Sequence, residues 1–189
     1  GGLGCPAAEF LVRAGVGNLG IVDNDKVNLS NLHRQTFYDT ADIGNFKVLV
    51  VKKKLRRINF KSKIKAYRVR LSNVNLNKII DKYDYIVDGS DNFTTKFLLN
   101  DFCLKKQKIL ITGAISKFDG HIFNFNFKDK KMPCLRCFYQ EANISDEQMS
   151  CESEGVLGTI AGIVGSIQAN EVLKNILNIG KNLSGFILI

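Results

Sequence analysis

No stretch of this sequence is apolar for long enough to cross a membrane, and its first residues do not resemble a signal peptide. The apolar run at the carboxyl end is broken by glycine and polar residues. The cytosol is therefore the expected location, with no membrane partner. Cysteine is sparse and irregular. The five residues are Cys5, Cys103, Cys134, Cys137 and Cys151, and an odd, uneven set without an export signal argues against structural disulfides. None is needed, because 189 residues of which 45% are hydrophobic can bury a sufficient core. Histidine is scarcer still. Neither His33 nor His121 has a visible cysteine partner, so a Cys–His catalytic pair is not expected. Internal repeats are absent. Acidic residues are outnumbered 27 to 18, for a net charge of +9. That balance can serve nucleic acid or acidic proteins. Lys, Asn and Ile recur throughout, however, and the densest basic run (Lys52 to Lys54 with Arg56 and Arg57) falls in a helical pattern, where it reads as a solvated face. No nucleic-acid-binding module accompanies it, and no nucleic-acid partner is expected.

What is present is an alternation of short strands and helices. Apolar residues recur at helical spacing through Leu3–Ala14, with Pro6 tolerable in the first turn and Gly15 as the stop. Asn18–Val22 reads as a strand, Asn24–Asp42 as a polar loop, Phe46–Ile58 as a helix and Lys63–Arg70 as a strand. Asn75–Ile80 is a short helix, Tyr85–Val87 a buried strand, Phe93–Leu104 a helix and Ile109–Thr112 a strand. This order predicts an α/β fold, a Rossmann-like parallel sheet with helices on both faces. The pattern then changes. His121–Phe127 alternates aromatic and polar residues, as a half-exposed antiparallel strand does, making the sheet mixed. A polar loop to about Glu154 and a long helix over Thr159–Leu177 follow. A glycine turn of the kind at residues 1–5 normally follows a buried strand. None precedes it, so the chain reads as one domain over residues 1–189, a fragment lacking its first strand and its carboxyl-terminal tail.

Five features can carry chemistry. The turn Gly1-Gly2-Leu3-Gly4-Cys5 opens a helix, where backbone N–H groups favour phosphate, and Asp23 ends the next strand, where an acid accepts from ribose hydroxyls. These two features do not separate NAD from ATP, and an NAD-dependent oxidoreductase is the alternative reading. The segment Ser30-Asn31-Leu32-His33-Arg34-Gln35 offers Arg34 to neutralise phosphate oxygens and Asn31 to donate to them, with Lys47 as a second cation. Such a set suits a triphosphate. In Asp88-Gly89-Ser90-Asp91-Asn92, a carboxylate at the end of a parallel strand can hold magnesium, while Asp91 or Asn92 can equally cap the next helix. Cys134-Leu-Arg-Cys137 supplies half a tetrahedral zinc site, and its place in a loop favours structural metal over redox use. Cys151, just before the long helix, is either a nucleophile with a lowered pKa or an incidental loop thiol.

These motifs, with VDGSDN (87–92) and CESEGVLGTIAGIVGSIQANEVLK (151–174), resemble the MoeB/ThiF/HesA family of bacterial relatives of ubiquitin-activating enzymes along essentially the whole chain. The resemblance implies a ThiF-type homodimer that uses ATP and magnesium. It implies adenylation of the carboxyl-terminal Gly-Gly of a ubiquitin-like sulfur-carrier protein, for molybdopterin or thiamin synthesis. A cysteine desulfurase or rhodanese would then donate sulfur. It assigns Gly2 to the phosphate loop, Asp23 to the ribose, Asn31, Arg34 and Lys47 to the phosphates, and Asp91 to magnesium and the reacting groups. Ser30, Leu32, His33 and Asn92 fall in the same pocket. Cys134 and Cys137 match the first half of a four-cysteine zinc site, and Cys151 the cysteine that bonds to the carrier in ThiF-type members. The second CxxC and the amino-terminal helix that lends an arginine to the partner's site are absent. A non-catalytic module that only docks a carrier is the remaining alternative.

Overall fold

Strand and helix alternate as the sequence predicts in the computed structural model, which describes residues 1–139 and 155–189. Helix α1 (Gly4–Arg13) leads to β1 (Asn18–Val22), α2 (Lys47–Ile58), β2 (Lys63–Tyr67), α3 (Leu76–Ile80) and β3 (Tyr85–Asp88). Then come α4 (Phe93–Lys105), β4 (Ile109–Ser116), β5 (Asp119–Asn126), α5 (Leu135–Phe138), α6 (Gly158–Leu177) and β6 (Ile187–Leu188). β1 pairs with β2 and β3 with β4, both in parallel. β5 lies antiparallel between β4 and β6. β1 and β3 are not hydrogen-bonded to each other. Between them Tyr83 stands against Gly20, where a Cβ would fall 2.5 Å from the tyrosine ring.

Two expected boundaries move for reasons of pairing. β2 stops at Tyr67 rather than Arg70, because its partner β1 ends opposite it at Val22. β4 runs on past Thr112 to Ser116, because β5 turns back on it and pairs as far as Ser116 with Asp119. The expected loop over 24–42 also holds two single-turn 3-10 helices, Leu29–Asn31 and Thr40–Asp42. Each is started by a side chain, Asn28 or Asp39, that accepts from the main chain two residues on.

Both faces of β4 are covered. Leu110 packs with Leu99, Phe102 and Cys103 of α4, while Ile109, Ile111 and Ile115 pack with Leu3, Leu11 and Val164. Burial pushes the Cys103 thiol up to about 12, as suits the core role its helical position predicts. The same covering corrects the expectation of a half-exposed strand at 121–127. Phe123, Phe125 and Phe127 lie in the α4 cluster and Ile122 in the α6 cluster. The polar Asn124 is buried too, because its Nδ2 donates to Glu171 Oε2 of α6 at 2.9 Å.

α6 crosses α1 at glycines. A Cβ on Gly165 would lie 2.2 Å from the Leu3 carbonyl oxygen and 2.6 Å from Pro6 Cγ, and one on Gly158 would lie 2.3 Å from the His33 carbonyl oxygen. Helix α6 thus presses directly on the glycine turn and on the segment that carries Arg34. Gly165→Ala must push the two helices apart, at a cost of about 1–3 kcal/mol or more. Thermal melting should show a clear drop, and an unchanged midpoint would mean that the crossing is not tightly set.

Candidate nucleotide site

The segments that converge at the end of β3 are the glycine turn, the stretch after the first 3-10 helix, and the loop between β3 and α4. Together they line a cleft of about 570 Å³, counted with its open mouth. Gly1, Gly2, Arg34, Ser90, Asp91 and Asn92 are among its walls. Arg34 is held by the Ser30 carbonyl oxygen, 3.0 Å from Nη1, and by His33 Nε2 at 2.7 Å. A guanidinium only donates, so His33 Nε2 accepts.

Asp91 is exposed on the cleft wall, with Asn92 Nδ2 3.3 Å from its Oδ1. The two possible roles at 91–92 divide between the residues. Asn92 caps α4, its Oδ1 accepting from Thr95 N at 2.8 Å, which leaves the Asp91 carboxylate on the cleft side. An exposed carboxylate beside a phosphate-sized turn fits what magnesium requires of protein ligands, since that ion keeps several waters and takes one or two carboxylates.

The remaining expected residues sit beside the cleft rather than in its walls. Asp23 lies on the other side of the glycine turn, with Oδ2 3.8 Å from the Gly1 nitrogen. Its Oδ1 accepts from Asp25 N at 2.9 Å, and Asp25 Oδ2 lies 3.2 Å from the buried Lys47 Nζ. Asn31 is buried and closes the capping box with Asn28. Ser30 Oγ donates to Asn28 Oδ1 at 3.2 Å. Leu32 is half-buried and His33 exposed.

The floor beneath Asp91 is a buried network that sequence reading missed. Asp88, 2% exposed, receives Lys96 Nζ at 3.0 Å and the Thr112 hydroxyl on Oδ2, and Ser90 N at 2.9 Å and Ser90 Oγ at 2.6 Å on Oδ1. Lys96 Nζ also donates to the Gly113 carbonyl at 2.6 Å. Burial alone would raise the Asp88 carboxyl. The Lys96 ammonium, then the Ser90 and Thr112 donors, outweigh it and hold the group below the ordinary aspartate value. The network locks the turn at 89–91 to α4 and β4. A signal was available: Phe93, Lys96, Leu99, Asn100 and Cys103 form one helical stripe, and a lysine on an inward stripe must find a buried partner.

Cys134 and Cys137 are not in a plain loop as expected. Cys134 begins the short helix α5 and Cys137 lies within it. The reason is local. Leu135 N donates to Asn100 Oδ1 at 2.9 Å, and Arg136 grips Asp101 with two bonds of 2.8 Å, fastening the knuckle to α4. The sulfurs are 3.6 Å apart. Two ligands at tetrahedral zinc, each about 2.3 Å from the metal, stand about 3.8 Å apart, so the pair fits half a site. Hydrogen bonds from Cys134, main chain first and thiol second, draw the exposed Cys137 thiol below its ordinary value. No third metal-binding side chain joins them among the described residues. Cys151 lies outside those residues.

The sequence profile of the ThiF family matches residues 1–189. The chain belongs to the ThiF family. It is 43% identical over 192 residues to the sulfur carrier protein adenylyltransferase of Thermus thermophilus, covering 100% of this chain and 71% of that protein. It is 41% identical over 189 residues to a probable molybdopterin-synthase adenylyltransferase of Porphyra purpurea, of which it spans 49%. Among solved structures, E. coli MccB with ATP superposes with a TM-score of 0.83 at 20% identity, over 97% of this chain and 56% of that one. At that identity the likeness is one of fold, and it bears out the ThiF-type α/β architecture.

Proposed function

We propose that this ThiF-family chain is the adenylation domain of an enzyme that uses ATP to activate the C-terminal Gly-Gly carboxylate of a ubiquitin-like sulfur carrier for molybdopterin or thiamin synthesis. The observation that carries the reading is the convergence of the glycine turn, Arg34 and Asp91 on one cleft, in a chain whose relatives are named as adenylyltransferases.

In the reaction, a carboxylate oxygen of the carrier attacks the α-phosphorus of ATP. The acyl adenylate forms as the bond to the β-phosphate breaks, and pyrophosphate leaves with the electron pair. No protein nucleophile is required. Two anions must be brought together, and like charges about 4 Å apart repel by about 4 kcal/mol at a protein surface. Arg34 offsets that charge at the phosphates. The glycine-turn amides at the start of α1 cradle them, and Asn31 and Lys47 extend the set toward the phosphates, Lys47 from its place beside Asp25. A magnesium ion held at Asp91 would neutralise phosphate charge. Zinc at Cys134 and Cys137 would brace α5 against α4. The activated carboxylate is then attacked by sulfur from a donor such as a cysteine desulfurase or rhodanese, AMP leaving as the carbon–sulfur bond forms, in a homodimer in which Cys151 is the candidate for a residue that bonds to the carrier.

The test is carrier-dependent exchange of labelled pyrophosphate into ATP by the full-length protein, run beside calorimetric titration with NADH. Exchange that requires a Gly-Gly carrier, without NADH binding, is expected. NADH binding without exchange would overturn the reading in favour of an oxidoreductase.

A further inference from the structure

A second cleft, of about 1120 Å³ counted with its open mouth, lies at the amino-terminal ends of β1 and β2. The nucleotide site is at the other end, where Asp23 follows β1 and adjoins the glycine turn. The walls of this second cleft include Ser62 and the first three residues of β2, Lys63, Ile64 and Lys65. Successive residues of a strand point to opposite faces, so the cleft follows the edge of β2 rather than one face. Lys52 and Arg56 reach it from α2, which packs on the Ile64 face, and Lys82 comes from the segment between α3 and β3. Five cations thus converge with no carboxylate among the walls. None of the five is ion-paired among the described residues, whereas Lys47, Lys54, Lys96, Lys106 and Lys174 each are. The edge itself is open, because β2 pairs with β1 alone among the described residues. Lys63 N donates to the Gly17 oxygen, and the Tyr67 oxygen accepts from Asp23 N. The main chain of residues 63, 65 and 67 therefore faces β1, and that of Ile64 and Ala66 points outward.

We infer that this cleft docks an acidic, extended segment of a partner protein, which adds as a strand to the free edge of β2. Strand addition takes its affinity from main-chain hydrogen bonds and its specificity from the side chains beside the edge. Lys63 and Lys65 alone would be the usual guard of a sheet edge against pairing. Lys52, Arg56 and Lys82 stand off the strand, and a guard does not need them. With cations on both sides of the edge, an incoming strand can carry carboxylates on both of its faces, while a basic or apolar one is refused. Nucleic acid suits the cleft less well, because single strands stack on successive rings. Phe60, 82% exposed, is the one uncovered ring in the walls. The Tyr67 ring behind it is covered by Lys65 and Lys82, whose Nζ atoms lie 5.3 Å and 5.2 Å from its centroid. A compact polyphosphate would leave both Phe60 and the outward main chain of β2 unused.

The experiment measures fluorescence anisotropy of a labelled octaglutamate peptide with the full-length protein at low salt. Two competitors are used: the same peptide N-methylated on four consecutive central amides, which blocks both of its edges, and an inorganic polyphosphate of equal charge. The plain peptide should bind, and the N-methylated peptide and the polyphosphate should each bind about tenfold more weakly. The double variant Lys63→Glu, Lys65→Glu should weaken the plain peptide by about tenfold or more. Both lysines are exposed and lie away from the nucleotide cleft, so melting and carrier-dependent pyrophosphate exchange should stay at wild-type values. Equal binding of the N-methylated peptide would overturn strand addition. Tighter binding of polyphosphate, or of a single-stranded oligonucleotide of equal charge, would overturn the choice of a peptide. Absence of peptide binding, or binding that the double variant keeps, would overturn the site.

Discussion

Asp91→Ala in the full-length protein should lose carrier-dependent ATP–pyrophosphate exchange by about a hundredfold or more while melting at the wild-type temperature. The two halves of that expectation have separate grounds. Loss of one preorganised electrostatic contact to a reacting group commonly costs about 3 kcal/mol, which is roughly a hundredfold. Stability should hold because Asp91 is exposed and because Asn92, rather than Asp91, caps α4. Arg34→Ala should also abolish exchange, yet it reports less cleanly. Arg34 is buried and tied to Ser30 and His33, so its loss disturbs the segment around it. Near-normal exchange in both variants would refute the placement of the phosphates and magnesium in this cleft.

Lys96→Met should have the largest effect on stability, about 3–5 kcal/mol, because it leaves the buried Asp88 carboxylate without its counter-ion. Urea unfolding at neutral pH measures it. The pH dependence gives a second check with a definite sign. In the wild type the folded-state value of Asp88 is depressed. Its stabilisation is therefore present above the unfolded value of about 3.9 and is lost as pH falls through the lower folded value. In Lys96→Met, burial loses the ammonium that chiefly opposes it, so the folded value moves up and protonation costs less. The gap between variant and wild type should narrow as pH falls from neutrality into the carboxylate range. A gap that stays constant over that range would show that Asp88 is not the group left unpaired. Lys96→Arg keeps the charge and should lose much less.

The parts legible in the sequence were those set by local pattern. Helical spacing fixed α1, α2, α4 and α6 to within a residue or two, and the strand ending at Asp88 was visible as a short apolar run before a turn. The cleft was legible for the same reason: the glycine turn, Arg34 and Asp91 each belong to a motif that is contiguous in the chain. What escaped was non-local. Lys96 falls on an inward helical stripe, but its partners Asp88 and Thr112 are brought to it only across the sheet. Asn124 looks like the polar half of an alternating strand until Glu171, 47 residues on, reaches it. The fastening of Cys134–Cys137 to α4 depends on Asn100 and Asp101, which carry no mark of it in sequence.

The most direct test of the account is intact-mass analysis of a Gly-Gly carrier incubated with the full-length protein, magnesium and ATP, with sulfur donors omitted. The carrier should gain one AMP, and a carrier whose terminal carboxylate has been converted to an amide should gain nothing. A protein that binds magnesium–ATP tightly yet never places AMP on the free-carboxylate carrier would contradict the proposal that this cleft exists to join the two.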